Sequence, residues 1–235
     1  MGLRFFLLPS PRVSHYGRFR LRRRPIFAAI GARPHLARHP PAERELLLRL
    51  ATGAHTIVEI GVNEGGSAWT PRQALAPEGH LHLVDPYEPG RLGVASSLLA
   101  AQRLLATVPR GTVSWHQTTS HVGARDWAQP IDFLFIDGDH SYEAVALDWS
   151  DWSPFVTPAG VVVFHNARVT RENPRCPGVV RLVEEIATAG GPWRAIEEEG
   201  SMVAFARVPG GAAPPARSGD GVEPSKRGAA TPCRF

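Results

Sequence analysis

Short apolar runs alternate along this chain with longer segments whose apolar residues recur at helical spacing. The runs predict strands at Thr56 to Ile60, Leu81 to Val84, Thr112 to His116, Phe133 to Ile136 and Val161 to Phe164. Between them the 3.6-residue spacing predicts helices over Ser67 to Leu75, Ser96 to Val108, a short piece within Thr118 to Trp127, and Tyr142 to Trp152, where Pro154 and Pro158 stop it. A helix over Ala42 to Leu50 precedes the first strand, with Leu46, Leu47 and Leu50 on its buried side. Pro41 suits its first turn and Gly53 its stop. After Val179 to Ala189, a further helix, Trp193 to Ile196 and Met202 to Ala206 read as two strands joined at a tight turn. Alternating strand and helix predicts the α/β class, a mostly parallel sheet with helices on both faces. The terminal hairpin predicts one antiparallel strand.

Length and composition refine this picture. The 235 residues suit one domain with two tails. We divide them into a basic, partly helical arm (1–40), a folded domain (41–208) and a C-terminal tail (209–235). The tail is rich in Gly, Pro, Ala and Ser and too poor in apolar bulk to offset its ordering entropy, so disorder is expected there. The arm carries nine arginines and no acid, whereas the rest of the chain has 17 basic and 22 acidic residues. The basic character therefore belongs to the arm. A solvated extension is the simplest reading, and contact with an anionic membrane or an acidic partner is the alternative; no aromatic-rich basic motif points to nucleic acid. No apolar run approaches the ~20 residues of a membrane helix. Cys176 and Cys233 match no metal or redox spacing, which fits a reduced, cytoplasmic setting.

The chemistry gathers where the strands end. The first strand runs into "VEIGVNEGGS", with Glu59, Gly61, Asn63, Gly65 and Gly66. Glycines at a strand-to-helix turn let a ligand approach the backbone. The spacing is not G-x-G-x-x-G, which disfavours a dinucleotide-dependent dehydrogenase. Asp85 ends the second strand, placed to accept hydrogen bonds from ribose hydroxyls. Glu59 suits a cationic nucleoside such as S-adenosylmethionine. The fourth and fifth strands end in Asp137, Gly138, Asp139, His140 and in His165, Asn166. Asp137, His140 and His165 are the candidate catalytic residues, with either histidine able to act as base. Asp139 and Ser141 read as helix caps, Tyr142, Trp149 and Trp152 as core, and His80, His82 and His116 as structural. Asp148 and Asp151 read as a solvated helix face.

With "VEIGVNEGGSA", "LVDPYEP" and "FIDGDHSYEAVALDWSDWSPFVTPAGVVVFHNAR", residues 41–208 resemble the class I S-adenosylmethionine-dependent methyltransferases. The similarity is strongest to a bacterial small-molecule group related to catechol and macrolide-sugar O-methyltransferases. The resemblance implies a Rossmann-like seven-stranded sheet and O-methylation of a small molecule, with homodimers common among relatives. Glu59, Gly61 and Asn63 would line the methionine end of the cofactor, Asp85 the ribose, and Thr118 to Ser120 (Thr119 and Ser120 foremost) the adenine, with Asp137 nearby. It also implies Mg²⁺ or another divalent cation on Asp137, His165 and Asn166, where close relatives carry Asp at the last position. That departure leaves a second reading open: a methyltransferase fold that no longer catalyses and serves as a binding domain.

Overall fold

The computed structural model describes residues 25–31, 39–90, 93–170 and 176–209. Most of the arm and nearly all of the C-terminal tail lie outside these residues. The elements run α1 (Pro25–Ala29), α2 (Pro41–Leu50), β1 (Thr56–Ile60), α3 (Trp69–Ala74), β2 (His80–Val84), α4 (Ser96–Leu105), β3 (Thr112–His116), α5 (Ser120–Arg125), β4 (Ile131–Ile136), α6 (Tyr142–Trp152), β5 (Val156–Phe164), α7 (Pro177–Thr188), β6 (Trp193–Glu199) and β7 (Met202–Arg207). They form one seven-stranded sheet in the order β3-β2-β1-β4-β5-β7-β6. All pairings are parallel except those of β7, which runs antiparallel between β5 and β6. This is the predicted architecture, terminal hairpin included.

The central strands are covered on both faces, so they read as continuous apolar runs rather than as alternations. Val58, Ile60, Leu134, Ile136, Val162 and Phe164 face one core with α5, α6 and α7. Ile57, Leu81, Leu83, Phe133, Phe135 and Val163 face the other with α2, α3 and α4. The β6 edge shows its glutamates, Glu197, Glu198 and Glu199, to solvent, a charged margin that discourages strand addition.

Register is what makes a site. Ile60 pairs with Val84 and Ile136, and Ile136 pairs with Phe164. The ladder then continues one residue further on each strand: Gly61 N donates to Val84 O (3.0 Å), Asp137 N to Ile60 O (2.9 Å), His165 N to Ile136 O (3.1 Å) and Asp85 N to His116 O (3.1 Å). Gly61, Asp85, Asp137 and His165 therefore leave the sheet at one level along one edge.

Several boundaries differ from those predicted. β5 begins at Val156 and includes Pro158, which does not end the preceding helix; a short 3₁₀ turn, Ser153–Phe155, does. α3 is shorter than the spacing suggested, because residues 61–68 stay in the glycine turn. Asp148 is the clearest correction. It is buried, not solvated, since α6 packs between α5 and α7 and both its flanks are covered. Burial pushes its carboxyl up to about 6, against a weaker opposing hydrogen bond from Ser120. Asp151 pairs with His121 at 2.7 Å instead of facing open water. Cys176 is a buried thiol.

Two expectations follow. A Cβ at Gly61 would lie 2.3 Å from the Asp137 carbonyl oxygen, on a residue with φ of +82°. Gly61→Ala should therefore cost at least ~2 kcal/mol in urea unfolding, from overpacking and a left-handed backbone together; an unchanged midpoint would refute the close approach. A carboxyl whose folded pKa is raised adds stability that is full below its unfolded value and disappears as pH rises through the folded one. Wild type should then lose about 2–3 kcal/mol relative to Asp148→Asn between pH 4 and pH 7. Parallel pH profiles of the two proteins would contradict this.

Candidate active site

The glycine turn and Asp85 are built as one unit. Asp85 Oδ2 accepts from Val62 N and Asn63 N, both at 2.9 Å, while Oδ1 accepts from Tyr87 N at 2.7 Å. The carboxylate thus holds the turn open by its own backbone donors and keeps part of its acceptor capacity for a ligand. Asn63 and Tyr87 both sit at positive φ, +51° and +47°, a costly conformation that tends to persist where a site requires it. Gly65, also at positive φ, packs against Ala101 and Leu105 of α4, which fixes the floor of the turn.

Glu59 has a different place from the one its position suggested. Strand alternation puts it on the Ile57 face, fully buried, where it accepts from Ser67 Oγ. Burial pushes its carboxyl well above the usual range, with the Ser67 bond opposing. It braces the turn from beneath and does not present a bare charge to a ligand. Ser120 is likewise engaged, accepting from Trp152 Nε1 at 2.8 Å. Thr119 is exposed immediately before α5. Gly66 lies half-buried in the turn.

Asp137, His140 and His165 do come together. His165 Nδ1 is 2.7 Å from Asp137 Oδ1, and His140 Nε2 is 3.4 Å from the same oxygen. Asn166 Nδ2 is 3.2 Å from His140 Nε2, and Cys176 Sγ lies 3.7 Å from the other ring nitrogen. Burial alone would raise the Asp137 carboxyl. The attraction of His165 and the hydrogen bonds from both histidines outweigh it and hold Asp137 well below the usual carboxylate range. Asp137 is therefore a fixed negative charge between two imidazoles. Asp139 and Ser141 are caps: Asp139 Oδ1 accepts from Ser141 N at 2.8 Å, and Ser141 Oγ accepts from Ala144 N. Trp152 is core, with Tyr142 and Trp149 partly buried against it. His80 meets Ser114 and His82 meets His116, consistent with structural roles.

The ligand set implied for Mg²⁺ does not fit this arrangement. Asp137 Oδ1 and His165 Nδ1 are within hydrogen-bond distance of each other at 2.7 Å. Asn166 turns its amide toward His140, and only one carboxylate is offered where Mg²⁺ prefers oxygen ligands.

Two residues at the site are absent from the sequence reading. His39 and Glu43 come from the start of α2 and are buried beside His165. His39 Nδ1 is 3.3 Å from Glu43 Oε2, close but out of line for a hydrogen bond. Ser201, in the β6–β7 turn, donates to Glu43 Oε1 through both N (2.7 Å) and Oγ (2.9 Å). Burial lowers the His39 pKa, which keeps the ring neutral. Burial would raise Glu43, but contacts from His39 and Ser201 prevail and hold it below the usual range. The signal was legible in principle. Glu43 lies three and four residues before Leu46 and Leu47, so it falls on the apolar stripe, with His39 one turn before it. The division at residue 40 therefore cuts through the site.

Comparison with known proteins bears on the fold. Residues 58–167 match a family model described as "Methyltransferase domain". A stretch of 57 residues is 39% identical to the uncharacterized protein R132 of Acanthamoeba polyphaga mimivirus, covering 24% of this chain and about a quarter (26%) of that relative. Among solved structures, the O-methyltransferase TomG of Streptomyces achromogenes superposes with a TM-score of 0.56 at 22% identity, over 79% of this chain and 88% of TomG. Cofactor-bound Rv0187 from MTB gives 0.59 at 21%, over 78% and 87%. An O-methyltransferase from Bacillus cereus gives 0.51 at 20%, over 78% and 89%. No described helix is long and apolar enough to cross a membrane. The chain shares the Rossmann-like fold of these methyltransferase structures, and residues 58–167 match the methyltransferase-domain model.

Proposed function

We propose that this protein transfers the methyl group of S-adenosylmethionine to an oxygen of a small molecule. One observation carries the reading: the glycine turn, Asp85, Asp137 and His165 leave four neighbouring strands at a single level. Ligands of open α/β sheets bind in the crevice at such an edge. TomG was solved with S-adenosylmethionine and the B. cereus enzyme with S-adenosylhomocysteine; this chain would take the same cofactor.

In this reading the turn from Gly61 to Gly66 receives the methionine portion, with Glu59 and Ser67 as its buried support. Asp85 accepts the ribose hydroxyls while still holding the turn, so cofactor binding and loop order are linked. Thr119 and the backbone around it border the adenine, and Ser120 fixes α5 to α6. Methyl transfer is an in-line displacement in which the acceptor oxygen forms a bond to carbon as the sulfonium bond breaks. The acceptor proton needs a base. His140 is our assignment, because Asp137 at its Nε2 side stabilises the imidazolium that forms. His165, held through Nδ1 by the same carboxylate, positions Asp137. Aligning the nucleophile with the methyl group supplies much of the rate.

Titration calorimetry tests this directly. S-adenosylmethionine and S-adenosylhomocysteine should bind and NAD should not; binding of NAD alone would overturn the reading. Asp85→Ala should weaken the cofactor about 10- to 100-fold, the worth of one or two hydrogen bonds to a charged group. His140→Ala should lower turnover of a hydroxylated acceptor by about 10²–10⁴ with cofactor affinity unchanged. Tight cofactor binding without turnover across phenolic, sugar and carboxylic acceptors would instead favour a non-catalytic binding domain.

A further inference from the structure

We propose that the chain binds one divalent transition-metal ion between His39, Glu43 and His165, with Asp137 as the outer carboxylate that orients both imidazoles. The site shares His165 with the ligand set implied by resemblance but replaces Asp137 and Asn166. It goes beyond the methyl-transfer reading and does not depend on it.

The orientation of every group points inward to one place. Asp137 Oδ1 meets His165 Nδ1 at 2.7 Å, and Asp137 Oδ2 lies 3.9 Å from His39 Nε2. The opposite nitrogens of the two rings both face Glu43 Oε2: His39 Nδ1 at 3.3 Å and His165 Nε2 at 3.8 Å. Glu43 is fixed in turn, because Ser201 takes up Oε1 twice and leaves Oε2 directed at the histidines. Carboxylate to imidazole to inner atom is the pattern by which proteins orient metal-binding histidines. The three inner ligand atoms lie within 4.8 Å of one another.

Burial makes the arrangement costly unless something fills it. His39 Nδ1, His39 Nε2 and Glu43 Oε2 are all buried, and among the described residues none has a hydrogen-bond partner. His39 is 4% exposed and Glu43 2%. Each such unsatisfied group costs about 1–3 kcal/mol, and two of them, His39 Nδ1 and Glu43 Oε2, face each other across 3.3 Å and call for a common partner. A cation satisfies the facing nitrogens and the carboxylate oxygen at once. With ligand bonds of about 2.0–2.1 Å, a tetrahedral ion sets its ligand atoms roughly 3.3 Å apart. The contacts to Glu43 Oε2 need to contract by half an ångström at most. Two imidazoles and one carboxylate suit zinc or iron better than magnesium or calcium, which prefer oxygen throughout. The competing set, Asp137 with His140 and His165, is joined by its own hydrogen bonds.

The probe is Zn²⁺ itself, added to the full-length chain after chelator treatment and followed by calorimetry and elemental analysis. One ion per chain is expected. Glu43→Gln and His39→Gln should each weaken binding at least 100-fold, and Asp137→Asn about 10- to 100-fold. His140→Ala should leave Zn²⁺ affinity unchanged. Circular dichroism checks that each variant folds. Because Glu43 also anchors the β6–β7 turn, wild type is examined separately: Zn²⁺ should raise its Tm and shift the ring resonances of His39 and His165 but not those of His80 or His82. No stoichiometric ion on wild type would overturn the site, as would retained binding in Glu43→Gln or loss in His140→Ala. All readouts are taken without cofactor, so failure here leaves the methyl-transfer reading standing, and failure of cofactor binding leaves this one.

Discussion

The backbone of Gly61 lies against the carbonyl of Asp137 with no room for a Cβ between them, and the geometry of the sheet edge depends on that contact. Two parallel strands can stop at one level only if the chain leaving one clears the chain leaving the other. Gly61 provides the clearance by turning at positive φ, which sends the glycine turn away from β4 and frees the Asp137 side chain to reach toward β5. Asp85 completes the arrangement from the other side, binding the turn at two backbone N–H groups. Three strand ends are thereby tied by backbone sterics and a single carboxylate before any ligand is present. Such preorganisation is what lets a crevice hold a cofactor without first ordering it.

Below that edge the protein stores an unusual amount of buried polarity, and it does so in two different ways. Glu59 is isolated with Ser67 in an apolar setting, and burial raises its carboxyl. Asp137 is no less enclosed, yet the attraction of His165 reverses the sign and keeps it charged. A carboxylate on β1 and a carboxylate on the adjacent β4 thus hold different protonation preferences within one fold. Glu59, its carboxyl raised by burial, supports the turn; Asp137, its carboxyl lowered, is available to stabilise a positive partner. This division is set by what each side chain meets, not by strand position, which both residues share to within a residue of the strand end.

The same distinction explains what could and could not be read from the sequence. Sheet, hairpin and strand ends were legible because parallel strands buried on both faces leave unmistakable apolar runs, and the polar residues at their ends had nowhere else to go. Asp137, His140 and His165 were found on that basis. Asp148 was misread because helical periodicity describes one buried face, whereas α6 is enclosed by α5 and α7. Glu59 was read as a charge because its burial depends on α3 and α4 closing over that face. His39 and Glu43 were missed because their meaning is tertiary. His39 precedes α2 among prolines and Glu43 sits on its apolar stripe, but only the folded β6–β7 turn supplies Ser201 to hold Glu43.

Asn166 connects these levels. It is one of four non-glycine residues at positive φ among the described residues, with Asn63, Tyr87 and Ala159. Asn tolerates that conformation better than most residues, so the backbone after His165 accounts for part of its selection without reference to ligands. Its amide meets His140, where a carboxylate would add a second negative charge beside Asp137. Two carboxylates there would compete for the same histidines and favour a hard cation between them. With Asn, Asp137 keeps Oδ1 against His165 at 2.7 Å, with Oδ2 3.9 Å from His39. Replacing one acid by its amide thus moves negative charge away from the β4–β5 edge and leaves Glu43, on α2, as the carboxylate the imidazoles face. The segment entering α2, from His39 to Glu43, becomes part of the site.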